Sequence, residues 1–228
     1  MMDTPHPIPK AAEPSSVRLV VTLAFAGFLS GLIIVTMFES TLASITAHRD
    51  LILEQSVLKV LPGAVSLRRM VFRDGRLTIV ERERDGEEMV LGGYAADGPL
   101  VGYAIPGAGS GFADTIRLLY GYLPEGRKVV GMEVLESRET PGSGDKIYKD
   151  AAFVANFASL SVDPEIVAVK KGKKSAPNQI DAITGATISS KAVVKIINAA
   201  NTLWLPRLEA APGSETETTT TSTQDTKE

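Results

Sequence analysis

The chain has 228 residues, of which 44% are hydrophobic and 22% charged, enough for one ordinary domain with appendages. Its formal net charge of -3 argues against a nucleic-acid partner, which requires a basic surface. The absence of cysteine excludes disulfides, thiolate zinc sites, iron–sulfur clusters and cysteine nucleophiles, and the two histidines, His6 and His48, have no ligand-like neighbours.

An uncharged apolar stretch, residues 19–38, is the first element in chain order. As a helix it would be about 30 Å long, which matches the hydrocarbon core of a bilayer. We expect an uncleaved transmembrane helix; the alternatives are a buried helix of a soluble domain and a cleaved signal peptide. Lys10 and Arg18 precede it, and Arg49 is the first cation after it. This charge bias places residues 1–18 in the cytoplasm and the main domain outside, at the inner membrane of the cell.

Short elements follow the apolar stretch. An amphipathic helix is expected at 47–61, with Leu51, Ile52, Leu58 and Leu61 among its apolar positions, and Pro62-Gly63 ends it. Asp-Gly dipeptides at 74–75, 85–86 and 97–98 separate strand-like runs at 77–83, 88–95 and 100–107, a pattern typical of a meander of hairpins.

The second half alternates between strands and helices. We predict a strand at 127–135, a helix at 149–159, a strand at 165–169 and a final helix at 189–204. The apolar face of that helix contains Ile188, Ala192, Val193, Ile196, Ile197 and Ala200. Residues 207–228 end in Thr, Ser and Glu, which cannot bury a core, so we expect a disordered tail. The fold class is α+β: one domain, 39–206, of antiparallel strands packed with helices after a single transmembrane helix.

Three segments allow both a structural and a functional interpretation. GAGSGF at 107–112 is either a flexible loop after a strand or a close backbone approach to a flat ligand. SRETPGSGDKI at 137–147 is either an ordinary turn or a rigid bend whose amides bind the polar edge of a planar ring. The lysines 170, 171, 173 and 174 indicate a solvated hairpin tip, or an electrostatic contact with a partner.

The most informative segment is DAITGATISS at 181–190, which places several hydroxyl groups at the start of the final helix. Capping by Thr187 or Ser189 explains one of them and contributes about 1 kcal/mol. The alternative is a phosphate, favoured by the free amides and the helix dipole at that position. Gly185 and Ala186 are small and would leave room for a bulky group on Thr187.

These motifs resemble those of a known family. Asp181-x-x-Thr-Gly-Ala-Thr187 is similar to the D-x-x-[ST]-G-A-[ST] signature of the FMN-binding domain in the G-type subunit of Rnf ion-translocating oxidoreductases. The same domain occurs in the C-type subunit of the sodium-translocating NADH:quinone reductase. Residues 139–145 resemble the family's E-T-P-G-x-G segment, with Ser143 at a position where an apolar residue is expected. Residues 109–112 resemble its glycine–aromatic loop.

The resemblance implies an electron-carrier subunit with covalent FMN. Its phosphate would be esterified to Thr187 by a flavin transferase, and the partners would be other membrane subunits of a complex that couples ferredoxin and NAD electron transfer to ion transport. Asp181 would be part of the signature that the transferase reads. The alternatives are the C-type subunit of the quinone reductase and a membrane-tethered module without flavin. The cofactor-binding residues implied by the resemblance are Thr184, Gly185, Ala186, Thr187, Ser189, Glu139, Thr140, Pro141, Gly142 and Gly144.

Overall fold

The structure is a computed structural model, which describes residues 16–81, 86–210 and 216–217. Asp85 of the predicted Asp85-Gly86 turn lies outside these residues, and so does most of the predicted tail. The helices are α1 (Ser16–Val60), α2 (Lys146–Lys149), α3 (Ala151–Val154), a 3-10 helix (Ala155–Ser159) and α4 (Thr187–Ala210). The strands are β1 (Ser66–Arg73), β2 (Arg76–Ile79), β3 (Met89–Tyr94), β4 (Leu100–Ser110), β5 (Thr115–Leu123), β6 (Lys128–Glu136), β7 (Leu160–Ser161), β8 (Val167–Lys170), β9 (Gln179–Ala182) and β10 (Thr216–Glu217).

Helix α1 begins with a candidate membrane span. Ser16–Thr41 is apolar and long enough, at 26 residues, to cross a bilayer, and its side chains are exposed. The two helices predicted at 19–38 and 47–61 form one helix, because the intervening sequence contains neither glycine nor proline. The chain divides into two compact units, Met1–Asp50 and Leu51–Glu228, so the second unit begins inside the predicted domain 39–206.

The second unit contains an eight-stranded sheet in the order β10-β2-β1-β3-β4-β5-β6-β7, antiparallel except for the β10–β2 pair. The turns at Asp74-Gly75 and Asp97-Gly98 are confirmed as hairpin turns. The meander is interrupted once, because β3 pairs with β1 rather than with its predecessor β2. Strand β5 was not predicted.

Both faces of the central strands are buried, and successive residues of β5 alternate between two apolar clusters. Leu118 and Tyr120 belong to the cluster that includes α4, whereas Leu119 contacts the cluster formed by the end of α1, including Val57 and Leu61. The fold is therefore a sheet between two helical layers, which confirms the predicted α+β class. Within α1, the predicted apolar positions Ile52 and Leu58 are exposed.

Glycines let the end of α1 approach the sheet directly. A Cβ atom on Gly121 would overlap the backbone carbonyl of Val60, and one on Gly131 would lie 2.8 Å from the Cα atom of the same residue. Helix α1 therefore ends on the backbone of β5 and β6. Gly63, with φ 97°, follows the helix end, as Pro62-Gly63 predicts.

The predicted helix at 149–159 is divided into short turns. Asp150 has extended backbone angles and caps α3, since its Oδ1 accepts hydrogen bonds from the amides of Ala152 at 2.9 Å and Phe153 at 3.4 Å. Helix α4 is longer than predicted at both ends. It extends to Ala210 with Leu208 buried, so residues 207–210 belong to the helix rather than to the tail.

The predicted lysine hairpin is wrong. Strands β8 and β9 form a separate two-stranded sheet that is parallel, with Lys170 opposite Ala182. The exposed lysines therefore lie in the connection between two parallel strands. Because parallel strands end at the same edge, this connection lies beside the segment that leads into α4.

Candidate functional site

The segment before α4 is a tight turn. The amide of Ala186 donates a 3.0 Å hydrogen bond to the carbonyl of Ile183, and Gly185 has φ 84°. A positive φ at the third position is the signature of a type II turn, and glycine adopts it without strain. A Cβ atom on Gly185 would meet nothing within 4 Å, so the outer side of the turn is open.

Buried Ser190 stabilises this turn. Its Oγ accepts from the amide of Ile183 at 3.1 Å and donates to the carbonyl of Ala186 at 2.8 Å. Ser190 lies within the first turn of α4, so its hydroxyl ties the preceding turn to the helix and does not cap it. Thr187 and Ser189, the predicted caps, donate to the carbonyl of Ile183 and to Glu139 instead. Ala186 is 5% exposed, so the expected clearance is provided by Gly185 alone, while Ala186 belongs to the core.

The structure separates the hydroxyl groups of the motif into two classes. Thr184 and Thr187 are exposed, whereas Ser189 and Ser190 are buried. The hydroxyl of Thr187, at the first residue of α4, makes one contact near the hydrogen-bond limit, 3.5 Å from the carbonyl of Ile183. Thr187 is therefore an exposed residue at the N-terminus of α4 whose hydroxyl makes one weak contact.

A second type II turn lies opposite the first. The amide of Ser143 donates to the carbonyl of Thr140 at 3.2 Å, with Pro141 at the second position and Gly142, φ 79°, at the third. The Ser143 hydroxyl then donates a 2.8 Å hydrogen bond to the carbonyl of Gly185. Ser143, which departs from the family pattern, is thus the residue that joins the two turns.

Glu139 connects three segments of the site. One carboxylate oxygen accepts from the amides of Phe112 at 2.8 Å and Ala113 at 2.9 Å, and the other accepts from the hydroxyl of Ser189 on α4. Glu139 is 5% exposed. The resemblance predicts that it lines the flavin; in the structure its carboxylate is enclosed by backbone and holds the loops together.

The hydrogen bonds to Glu139 also set its charge state. Burial alone would raise the pKa of this carboxyl, but donation from Ser189 and from the amides of Ala113, Phe112 and Asp114 outweighs burial and leaves the pKa below its ordinary value. Glu139 is therefore an ionised acceptor at neutral pH.

Two glycines permit this arrangement. A Cβ atom on Gly144 would lie 2.7 Å from Oε2 of Glu139 and 3.1 Å from Oγ of Ser189, and one on Gly111 would overlap Oε1 of Glu139. Gly144 therefore admits the carboxylate of Glu139, and its predicted contact with the cofactor stays a prediction. Nothing in the sequence alone indicated that Glu139 and these two glycines meet.

The expected loop at 107–112 is mostly strand. Gly107 and Gly109 lie within β4, and a Cβ atom on either would come within 2.8 Å of the Ile196 side chain on α4. These glycines therefore serve helix packing. The loop itself begins at Gly111, and its Phe112 is 63% exposed.

Three exposed apolar side chains belong to the segments around Glu139 and the start of α4. Ile188, predicted on the buried face of α4, is 59% exposed, and Tyr148 on α2 is 44% exposed. Together with Phe112 they adjoin the segments that meet at Glu139. Exposed apolar groups next to polar turns are typical of a surface that binds a ligand or partner. The site is open, and grooves of about 360 and 590 Å³ elsewhere on the domain do not include these residues.

Asp181 occupies the end of β9. Its Oδ1 accepts a 2.8 Å hydrogen bond from the amide of Gly172, and its own amide donates to Oδ1 of Asn156 at 3.1 Å. The carboxylate therefore fixes the lysine-containing connection beside the turn, a structural role in addition to its predicted place in the signature.

The sequence has relatives among ion-translocating oxidoreductase complexes. Over 143 residues the chain is 34% identical to the G-type subunit of the Na(+)-translocating ferredoxin:NAD(+) oxidoreductase complex of Acetobacterium woodii, a match that covers 61% of this chain and 68% of the relative. The chain belongs to this family of G-type subunits. Its counterpart in the proton-translocating complex of Clostridium ljungdahlii is 29% identical over 80% of this chain and 88% of its own length.

The domain and the fold agree with this family. Residues 111–202 match the FMN-binding domain family. NqrC from Shewanella oneidensis superimposes with a TM-score of 0.57 at 17% identity, over 72% of this chain and 98% of NqrC. The corresponding subunit of the Na(+)-translocating NADH-quinone reductase of Parabacteroides distasonis gives 0.56 at 20% identity, over 70% and 92%. The fold is thus shared with the C-type subunits, while the sequence relatives are G-type subunits, which confirms the resemblance.

Proposed function

We propose that this chain is the membrane-anchored electron-transfer subunit of an Rnf-type complex, which couples electron transfer between ferredoxin and NAD to ion translocation. In this proposal FMN is attached through a phosphoester to the hydroxyl of Thr187. The observation that carries the proposal is the exposed Thr187 at the first residue of the 24-residue helix α4, beside the open turn at Gly185.

The N-terminus of α4 suits a phosphodiester. The first amides of a helix have no acceptor within the helix, so those of Thr187, Ile188 and Ser189 face the position that a phosphate on Thr187 would occupy. The diester keeps one negative charge, which the positive end of the helix dipole stabilises. Thr184 is exposed but lies in the turn, outside the first turn of the helix, and lacks this environment.

The surroundings suit a planar, partly apolar ring. Phe112, Tyr148 and Ile188 offer exposed apolar surface, and the turn at Thr140–Ser143 offers backbone groups at its edge. FMN supplies the redox chemistry when bound, and the chain supplies placement. Glu139 orders the loops through hydrogen bonds, and no acid–base residue is required for electron transfer.

The anchor gives the subunit its location. We place the span within Ser16–Thr41 in the cytoplasmic membrane, with the second unit on the outer side, where a flavin transferase attaches the flavin. A membrane tether keeps the flavin beside the other subunits of the complex, so electrons need not wait for diffusion. Protease protection of intact spheroplasts tests the sidedness: the second unit should be degraded from outside.

The attachment is tested by co-expression with a flavin transferase, followed by a denaturing gel viewed under ultraviolet light and by the mass of the peptide containing Thr187. Wild type should give a fluorescent band and an added FMN phosphoryl mass. Thr187→Ala should abolish both. Thr202→Ala, which changes an exposed threonine of the same helix outside the motif, should retain both. A fluorescent Thr187→Ala band, or a dark wild-type band, would exclude Thr187 as the attachment point.

A further inference from the structure

A group of exposed lysines lies around the end of β8 and the outer face of α4. Lys170, Lys171, Lys173 and Lys174 follow β8, and the register of the parallel pair places Lys170 opposite Ala182, five residues before Thr187. The 2.8 Å hydrogen bond from the Gly172 amide to Asp181 holds this connection in place. These four lysines therefore lie at the same edge as the turn that leads to Thr187.

Helix α4 extends the positive surface. Lys191 and Lys195 are exposed and follow Thr187 at intervals of four residues, so the three side chains form a row along one face of the helix. The groove between α4 and β8, with a volume of about 590 Å³, is lined by both lysines and by Val167, which is 46% exposed. We call Lys170, Lys171, Lys173, Lys174, Lys191 and Lys195 the basic surface.

Two carboxylates, Asp181 and Glu165, lie among the six lysines and offset only part of their positive charge. Asp181 accepts from the Gly172 amide, and Glu165 accepts from the side-chain amide of Asn198 at 2.9 Å. The chain as a whole has a net charge of -3, so the basic surface is a local concentration of positive charge rather than a consequence of composition. Such local fields attract and orient oppositely charged protein surfaces that lie beside them.

We infer that the basic surface is the docking site for an acidic protein face that surrounds the redox centre of the flavin's electron-exchange partner. The inference rests on the proposed function in one respect, the flavin on Thr187. Electron transfer requires the two redox centres to come close, so the partner must cover the surface next to Thr187, and that surface is positive. The partner face should therefore be rich in aspartate and glutamate.

The experiment uses the full-length flavinylated chain in the complex purified from its own membranes. The test variant is Lys171→Glu/Lys173→Glu. The control is Arg76→Glu/Lys128→Glu, which changes the net charge equally at two exposed cations. Lys128 is the first residue of β6, and the strand ends at Glu136, three residues before Glu139. The control charge at Lys128 is therefore one strand length away from Glu139. Flavin reduction by NADH is followed by stopped-flow absorbance from low to high NaCl.

Wild type and control should reduce the flavin fastest at low salt and more slowly as salt screens the charges. The lysine variant should be about 10-fold slower at low salt and nearly independent of salt. Equal rates for the lysine variant and the control would overturn the inference. The inference would also be overturned if the lysine variant reduced its flavin more slowly in phosphatidylglycerol liposomes but not in phosphatidylcholine liposomes. The surface would then bind lipid.

Flavin loading is measured on the same samples. A lysine variant without flavin, beside a fully loaded wild type, would assign the surface to the transferase and overturn the inference. If wild type itself carries no flavin, the proposed function fails. Docking is then tested by retention of the flavin-free chain in the complex as NaCl rises: earlier release of the lysine variant than of the control supports the inference, and equal release overturns it.

Discussion

Replacing Glu139 with alanine should destabilise the domain strongly. The substitution leaves the amides of Phe112 and Ala113 and the hydroxyl of Ser189 without their acceptor. An unpaired buried donor costs about 1–3 kcal/mol, and three such losses at the low end give about 3 kcal/mol. In a domain of this size that corresponds to a melting temperature lower by about 6–12 °C.

Glutamine is the matched substitution for Glu139. Its carbonyl oxygen can accept from the amides of Phe112 and Ala113, and its amide nitrogen can donate to Ser189, so the expected cost is about 1 kcal/mol. Trp204 is the chain's one tryptophan and is 2% exposed, so its fluorescence reports unfolding of the second unit. Urea denaturation of the flavin-free, full-length protein gives the free energies of unfolding. A difference below about 1 kcal/mol between wild type and Glu139→Ala would refute the role assigned to the carboxylate.

The same carboxylate predicts a dependence on pH. Because the folded-state pKa of Glu139 lies below its ordinary value, its stabilisation is present above the unfolded pKa of about 4.3 and is lost as pH falls through the folded value. The stability advantage of wild type over Glu139→Gln should therefore shrink as the pH falls below about 4. An advantage that stays constant from pH 7 to pH 3 would contradict the assignment.

Three further substitutions test other parts of the fold. Gly121→Ala should cost about 3 kcal/mol or more, because the new methyl group overlaps the backbone carbonyl of Val60; near-normal urea stability would argue against this helix position. Gly185→Ala should cost about 1–2 kcal/mol through its positive φ, although space is available, and Gly185→Asn should cost less in the same denaturation assay. Tyr120→Phe should lower the melting temperature, since it removes a buried 2.7 Å hydrogen bond to Asn201 worth about 1 kcal/mol; an unchanged value would contradict this.

Local patterns predicted much of the fold. The Asp-Gly turns at 74–75 and 97–98, the strand at 127–135 and the final helix are governed by nearby residues, and the structure confirms them. Strand β5 has no such signal: it is buried on both faces, so its sequence IRLLYGYL is an almost continuous apolar run rather than an alternation. The break at Asp150 depends on one side-chain cap inside an otherwise helical composition.

The site was predictable as a set of motifs but not as an arrangement. The sequence distinguished Thr187 only through family resemblance, because a free hydroxyl and a capping hydroxyl have the same residue type. The role of Ser190 depends on its contacts with Ile183 and Ala186, and the role of Ser189 depends on Glu139, 50 positions away. The hydrogen bond from Ser143 to Gly185 is likewise a contact between distant segments, which no local pattern encodes.

The long separation between Glu139 and Ser189 has a consequence for the order of maturation. Contacts between distant residues form only after the intervening chain has closed its loops, so the segments at 111–114, 137–145 and 183–189 meet late in folding. Before that stage the turn at Gly185 is not joined to the turn at Thr140–Ser143. The surroundings of the proposed flavin on Thr187 would therefore be complete only in the folded domain.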